Sequence, residues 1–177
     1  MPQVPELELA VSATTRARRE GEQEGREYYF VTDEAFRRRL EAGEFLEYVD
    51  FEWGQRVGTL WSEIDRIRGR GKAPLLDLET EGALAVQREV PDSVTIFVKA
   101  PSFEELERRL RLRATESGGE ISKRLERAKR QLEQEDEFDH VIVNDDMNRA
   151  ANELLDIVHR ELERAGTMSR RDPSPHR

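Results

Sequence analysis

Leu7-Glu8-Leu9-Ala10-Val11-Ser12-Ala13, running into Thr14-Thr15-Arg16-Ala17-Arg18-Arg19, is the stretch that decides the fold. Its first half alternates apolar with polar or small residues over a strand's length, and its second half is a basic loop. A strand that delivers cations to a loop is an arrangement for holding an anion, because guanidinium groups present forked donors and hydroxyls add neutral ones. Ser12, Arg16, Arg19 and, beyond a glycine-bearing charged segment, Tyr28 together suit a phosphomonoester. The competing reading from composition is a solvated arginine run with no ligand.

Working outward, Tyr28-Tyr29-Phe30-Val31 resumes strand chemistry, and Asp33 reads as the N-cap of a helix that runs through Leu40 and stops near Gly43. Phe45-Leu46-Glu47-Tyr48-Val49-Asp50-Phe51 and Val57-Gly58-Thr59-Leu60 flank a Trp53-Gly54 turn, which predicts a small, mostly antiparallel sheet. A helix over Ser62 to Arg68 follows, and Pro74-Leu75-Leu76-Asp77-Leu78-Glu79 reads as a buried strand with acids at its C-terminal end. Val94-Thr95-Ile96-Phe97-Val98 suits a strand covered on both faces. Helical spacing marks Phe103 to Arg113, Glu120 to about Glu135 and Asn148 to about Ala165, with a short strand at Val141-Ile142-Val143-Asn144 between the last two. Strands alternating with helices predict an α/β fold with a mainly parallel sheet. The Ser-, Arg- and Pro-rich end from Gly166 to Arg177 predicts disorder.

The 177 residues suffice for one domain with a small insert or lid. No cysteine is present, which excludes disulfides, thiolate metal sites and a catalytic thiol. A formal net charge of -9 argues against a protein that coats nucleic acid, and no run is apolar enough to span a bilayer or to read as a secretory signal. The cytoplasm is the expected compartment, with no nucleic acid and no membrane as partner.

The order of parts adds what no single motif carries. Val11-Ser12-Ala13-Thr14-Thr15-Arg16, Arg19, Gly21-Glu22, Gly25 and Tyr28-Tyr29-Phe30-Val31 resemble the guanylate kinase signature. The resemblance continues through Phe45-Leu46-Glu47, Gly58-Thr59, Asp77-Leu78-Glu79, Gly82-Ala83, Pro101-Ser102, Arg109-Leu110, Thr115-Glu116, Lys123-Arg124-Leu125 and Val143-Asn144-Asp145. It implies a P-loop-kinase-like α/β fold over residues 1–165, with a GMP-binding β subdomain inserted at 13–61 and a helical lid at 113–127.

The implied substrates are GMP and ATP, with Mg2+ accompanying ATP. Ser12, Arg16, Arg19 and Tyr28 correspond to ligands of the GMP phosphate, and Glu47, Thr59 and Glu79 to the positions that read guanine. Carboxylates accept from the ring N1–H and the exocyclic amine, and a hydroxyl donates to O6. Asp77 matches the acid near magnesium, acting through its water shell. Arg109, Arg113 and Arg124 match the arginines brought onto the transferring phosphoryl group, and Asn144 and Asp145 the segment lining the adenine site. Each has a plain alternative: Glu47 as an outward strand residue, Asp77 as a turn cap, the arginines as surface residues, and Asn144-Asp145 as a helix start.

The chain also departs from the family. No G-x-x-x-x-G-K-[ST] run occurs in the 177 residues, and Met1 to Leu7 resembles the end of the helix that normally follows that loop. The first strand and the P-loop are therefore expected to be absent here, with an upstream start of the natural protein preferred over a natural loop-less relative. Val57 stands where the family often has a tyrosine, Arg18 replaces a common proline, and Ala114 replaces a lid glycine. GMP recognition is what the resemblance implies, while these residues alone are expected to show residual or no GMP binding and negligible turnover. The alternative is a non-catalytic guanylate-kinase-like module that binds nucleotide or a protein partner.

Overall fold

The computed structural model describes residues 4–113 and 118–171. The side chains of Arg113, of 118–120 and of 167–171 lie outside the described residues, as do Ala114, Thr115 and Glu116 of the expected lid. Two compact units make up the chain, residues 1–93 and 94–177.

In the first unit, β1 (Leu7–Leu9) pairs in parallel with β6 (Ala73–Leu75), Leu7 opposite Ala73. The expected strand over residues 7–13 is in fact two, because the chain leaves β1 at Ala10 and enters a second sheet as β2 (Ala13–Thr14). That sheet runs β3 (Tyr29–Phe30), β2, β5 (Arg56–Leu60), β4 (Phe45–Asp50), antiparallel except for β2 with β3. The expected strand over 74–79 is shorter than its apolar run, since pairing stops at Leu75 and leaves Asp77 exposed.

Three helices complete this unit: α1 (Asp33–Glu41), α2 (Trp61–Arg68) and α3 (Thr80–Glu89). The N-cap of α1 is Thr32, not Asp33; the Thr32 hydroxyl accepts from Ala35 N–H at 3.1 Å, while Asp33 sits in the first turn and pairs with Arg37 and Arg56. Ala10, Leu46, Ile64, Ile67 and Val86 form the core, with Trp61, Leu76, Leu78 and Val90 against it. Phe36 is fully buried and stacks on Phe45 with ring centroids 4.3 Å apart.

The second unit pairs β7 (Ile96–Lys99) in parallel with β8 (His140–Val143). Its helices are α4 (Phe103–Arg113), α5 (Gly118–Leu132) and α6 (Met147–Arg171), with a 3-10 turn at Glu135–Glu137. Ile142, Ala150 and Ile157 form its core with Ile96 and Leu154. The expectation that β7 is covered on both faces fails, because Val98 is 54% exposed. Helix α6 passes Ala165 and continues to Arg171, into the stretch expected to be irregular. Among the described residues no helix is long and apolar enough to cross a membrane.

Candidate functional site

Ser12 lies between β1 and β2, where its carbonyl accepts from Tyr29 N–H at 2.9 Å and its Oγ lies 3.2 Å from Thr59 Oγ1. Thr59 is fully buried on β5 and is the register partner of Glu47 on β4. Strand pairing thus gathers three residues that are far apart in sequence.

Glu47 is 4% exposed, although an apolar neighbour on each side suggests an outward strand residue. The cause is tertiary, because α3 covers this side of β4 as well. A Cβ at Gly82, in the first turn of α3, would stand 2.6 Å from Glu47 Oε2 and 3.7 Å from Val49 Cγ2. Gly58 does the same for the backbone: a Cβ there would meet the Glu47 carbonyl oxygen at 2.6 Å, beside the register shift between Phe45 and Glu47. Burial pushes the Glu47 carboxyl above its ordinary range, and the Thr59 hydroxyl and amide pull it back only in part. Among the described residues its Oε1 has no hydrogen-bond partner. A buried oxygen left bare costs free energy that a ligand donor recovers.

The basic loop is equally organised. Arg16 donates from both terminal nitrogens to Glu22, at 2.8 and 2.9 Å, and its Cζ lies 5.1 Å from the Tyr28 ring centroid and 5.7 Å from that of Phe30. Glu22 also accepts from Arg19 N–H at 2.7 Å and is held at about 2 by Arg16 first and this amide second. Gly21 and Gly25 take φ values of 86° and 72°, and Gly25 N–H donates to the Tyr28 carbonyl at 2.9 Å. Ser12, Arg16 and Tyr28 are half-buried and Arg19 exposed. Val57 faces Thr14 across the sheet, so the position where a tyrosine would offer a hydroxyl offers none.

Glu79 is half-buried at the N-cap position of α3, three residues before Gly82, and Asp77 is exposed just before it. In the second unit Arg109 donates to Glu105 at 2.7 Å and to the Asn144 carbonyl at 3.0 Å, and Arg124 is half-buried on α5. Arg113 ends α4 with its side chain outside the described residues. Asn144 closes β8 through its N–H to the Lys99 carbonyl at 2.7 Å. The helix start read at Asn144-Asp145 belongs instead to Asp146, whose Oδ1 accepts from Arg149 N–H at 2.9 Å. Asp145 ties Arg149, which holds its carboxyl below the ordinary range.

A family model for guanylate kinase matches residues 3–161. The chain belongs to the guanylate kinase family. It is 44% identical over 157 residues to a guanylate kinase of Rubrobacter xylanophilus, a match covering 89% of this chain and 82% of that protein. A guanylate kinase of a Synechococcus species is 45% identical over 155 residues, covering 88% of this chain and 71% of that one. A crystal structure of guanylate kinase from Anaplasma phagocytophilum superposes with a TM-score of 0.74 at 32% identity, over 88% of this chain and 76% of that chain. The fold and the enzyme class, a nucleoside monophosphate kinase among the transferases, follow from this membership.

Sequence reasoning gave no role to Gly82 or Glu22, though both lie in motifs of guanylate kinases, and it passed over Glu63. The signal for Glu63 was its place four residues before Ile67 on the apolar side of α2, where an acid needs a partner.

Proposed function

We propose that this chain binds GMP between β2, β4, β5 and the loop from Arg16 to Tyr28, as acceptor of a phosphoryl group from ATP in the guanylate kinase reaction. Glu47 Oε1, unpartnered among the described residues and buried opposite Thr59, whose hydroxyl meets Ser12, carries the reading. Guanine presents two donors, N1–H and the exocyclic amine, to such a carboxylate. Adenine presents a bare N1 and would leave Oε1 bare. Ser12, Arg16, Arg19 and Tyr28 would take the phosphate, and Glu79 would add a second acceptor for the base.

Transfer needs positioning and positive charge rather than a covalent intermediate on the protein, and Arg109, Arg113 and Arg124 are the cations assigned to it. Asn144 and Asp145 are assigned to the adenine side. Among the described residues no group of three or more His, Cys, Asp or Glu is arranged as a metal cage. The exposed Asp77 fits a magnesium ion that keeps most of its waters. Bound with ATP, magnesium would neutralise phosphate charge.

Titration calorimetry with GMP, guanosine and AMP tests the reading. GMP binding that exceeds AMP binding by at least about 100-fold is expected, and equal affinities would overturn it. A coupled assay with ATP, magnesium and GMP is expected to show negligible turnover by these 177 residues, which contain no G-x-x-x-x-G-K-[ST] run.

A further inference from the structure

Glu63, on α2, is 3% exposed, and both its oxygens are occupied. Oε1 accepts from Val11 N–H at 2.9 Å and from Arg66 at 2.7 Å; Oε2 accepts from Arg66 Nε at 2.8 Å and from the Tyr29 hydroxyl at 3.3 Å. Arg66 passes the connection on to Glu8 of β1 at 2.6 Å, where Lys72 and Arg70 also converge. Val11 immediately precedes Ser12, and Tyr29 immediately follows Tyr28. One buried carboxylate therefore grips the neighbours of two residues assigned to the GMP phosphate. The two gripped segments are also joined directly, by Tyr29 N–H to the Ser12 carbonyl.

We infer that Glu63 is a positioning residue for the phosphate half of the nucleotide site, fixing the Ser12 and Tyr28 segments relative to each other; this rests on the GMP reading above. Backbone pairing between β2 and β3 covers only Ala13–Tyr29 and Thr14–Phe30, too short a ladder to set donor positions to a fraction of an ångström. The carboxylate supplies the third point of attachment. Burial alone would push its proton affinity up, but Arg66 and the Val11 amide outweigh that and hold it below the ordinary range, so it stays an acceptor. Glutamine at this position keeps the shape, but its NH2 cannot accept, and whichever oxygen it replaces it meets an Arg66 N–H as a second donor.

The test is the affinity of the full chain for GMP and for guanosine in the wild type, Glu63→Gln and Tyr29→Phe, with circular dichroism as the check on folding. GMP affinity is expected to fall about ten-fold in Glu63→Gln and about three-fold in Tyr29→Phe, with guanosine affinity unchanged in both. Unchanged GMP affinity in either folded variant, or an equal fall for GMP and guanosine, overturns the positioning role. A wild type that binds GMP no better than guanosine sinks the phosphate-site reading itself. Should Glu63→Gln fail to fold, Tyr29→Phe, which removes one hydroxyl, decides alone.

Discussion

Gly82 makes room for the carboxylate of Glu47: a Cβ at Gly82 would stand 2.6 Å from Glu47 Oε2. The atom in the way is a carboxylate oxygen on a side chain only 4% exposed, so it has little room to give. Gly82→Ala is expected to displace the Glu47 carboxylate, lowering GMP affinity at least about ten-fold and stability by about 1–3 kcal/mol. Calorimetry and a thermal melt check the two; an alanine variant with wild-type affinity would show that the contact is incidental.

Glu47→Gln should move stability and binding in opposite directions. Removing a buried, half-satisfied charge is expected to stabilise the ligand-free chain by about 1 kcal/mol near neutral pH, while GMP affinity drops at least about 100-fold because an amide keeps one accepting oxygen and sets its NH2 against a guanine donor. A melting temperature that falls along with affinity would mean that Glu47 holds the fold together rather than waiting for a ligand.

The pH dependence follows from the same group. Its proton affinity is raised in the folded chain, so its contribution to stability is present in acid and is lost as pH rises through the raised value. Guanine needs the ionised form. Guanosine, free of a titrating phosphate, should bind more tightly as pH rises from the ordinary carboxylate range through that value, and then level off. A flat profile from acid to neutral pH would contradict this assignment.

Arg16→Ala should separate phosphate from base. The guanidinium now held by Glu22 is the forked donor assigned to the phosphate, so GMP affinity is expected to fall about 100-fold with guanosine within about two-fold of wild type. Equal losses for both ligands would point instead to collapse of the Arg16–Tyr28 loop.

Acid sensitivity should come from a different set of groups. Glu8 and Glu22 are each lowered to about 2, by Arg66 first and by Arg16 first respectively. Their contribution is present above the ordinary carboxylate range and is lost as pH falls towards 2. Both are half-buried and still in contact with water, which screens these pairs, so the effect is modest. The melting temperature of Glu8→Gln with Glu22→Gln should change less across that window than the wild type does, and parallel curves would refute it.

Alternation and spacing made much of the first unit legible. The alternation of strands with helices, the antiparallel insert around Trp53-Gly54 and the basic loop after Ser12 all follow from local chemistry. Boundaries failed where a tertiary partner ended an element early. Apolarity alone does not extend a strand: Leu76 and Leu78 are as apolar as Leu75, yet they pack against the core with no strand neighbour among the described residues, so β6 stops. Thr32 and Asp33 are both competent caps, and Arg56 decided between them by taking Asp33 in an ion pair.

The basic loop was set by sequence alone, in the order Ser12, Arg16, Arg19, Tyr28, because covalent spacing and residue chemistry are local properties. What that loop faces was a matter for the tertiary structure. Only strand register brings Thr59 opposite Glu47 and within reach of Ser12, and only the packing of α3 turns an alternating strand residue into a buried acid with a bare oxygen. Burial and the resulting desolvation depend on elements distant in the chain, and no pattern within Phe45–Asp50 carries that information.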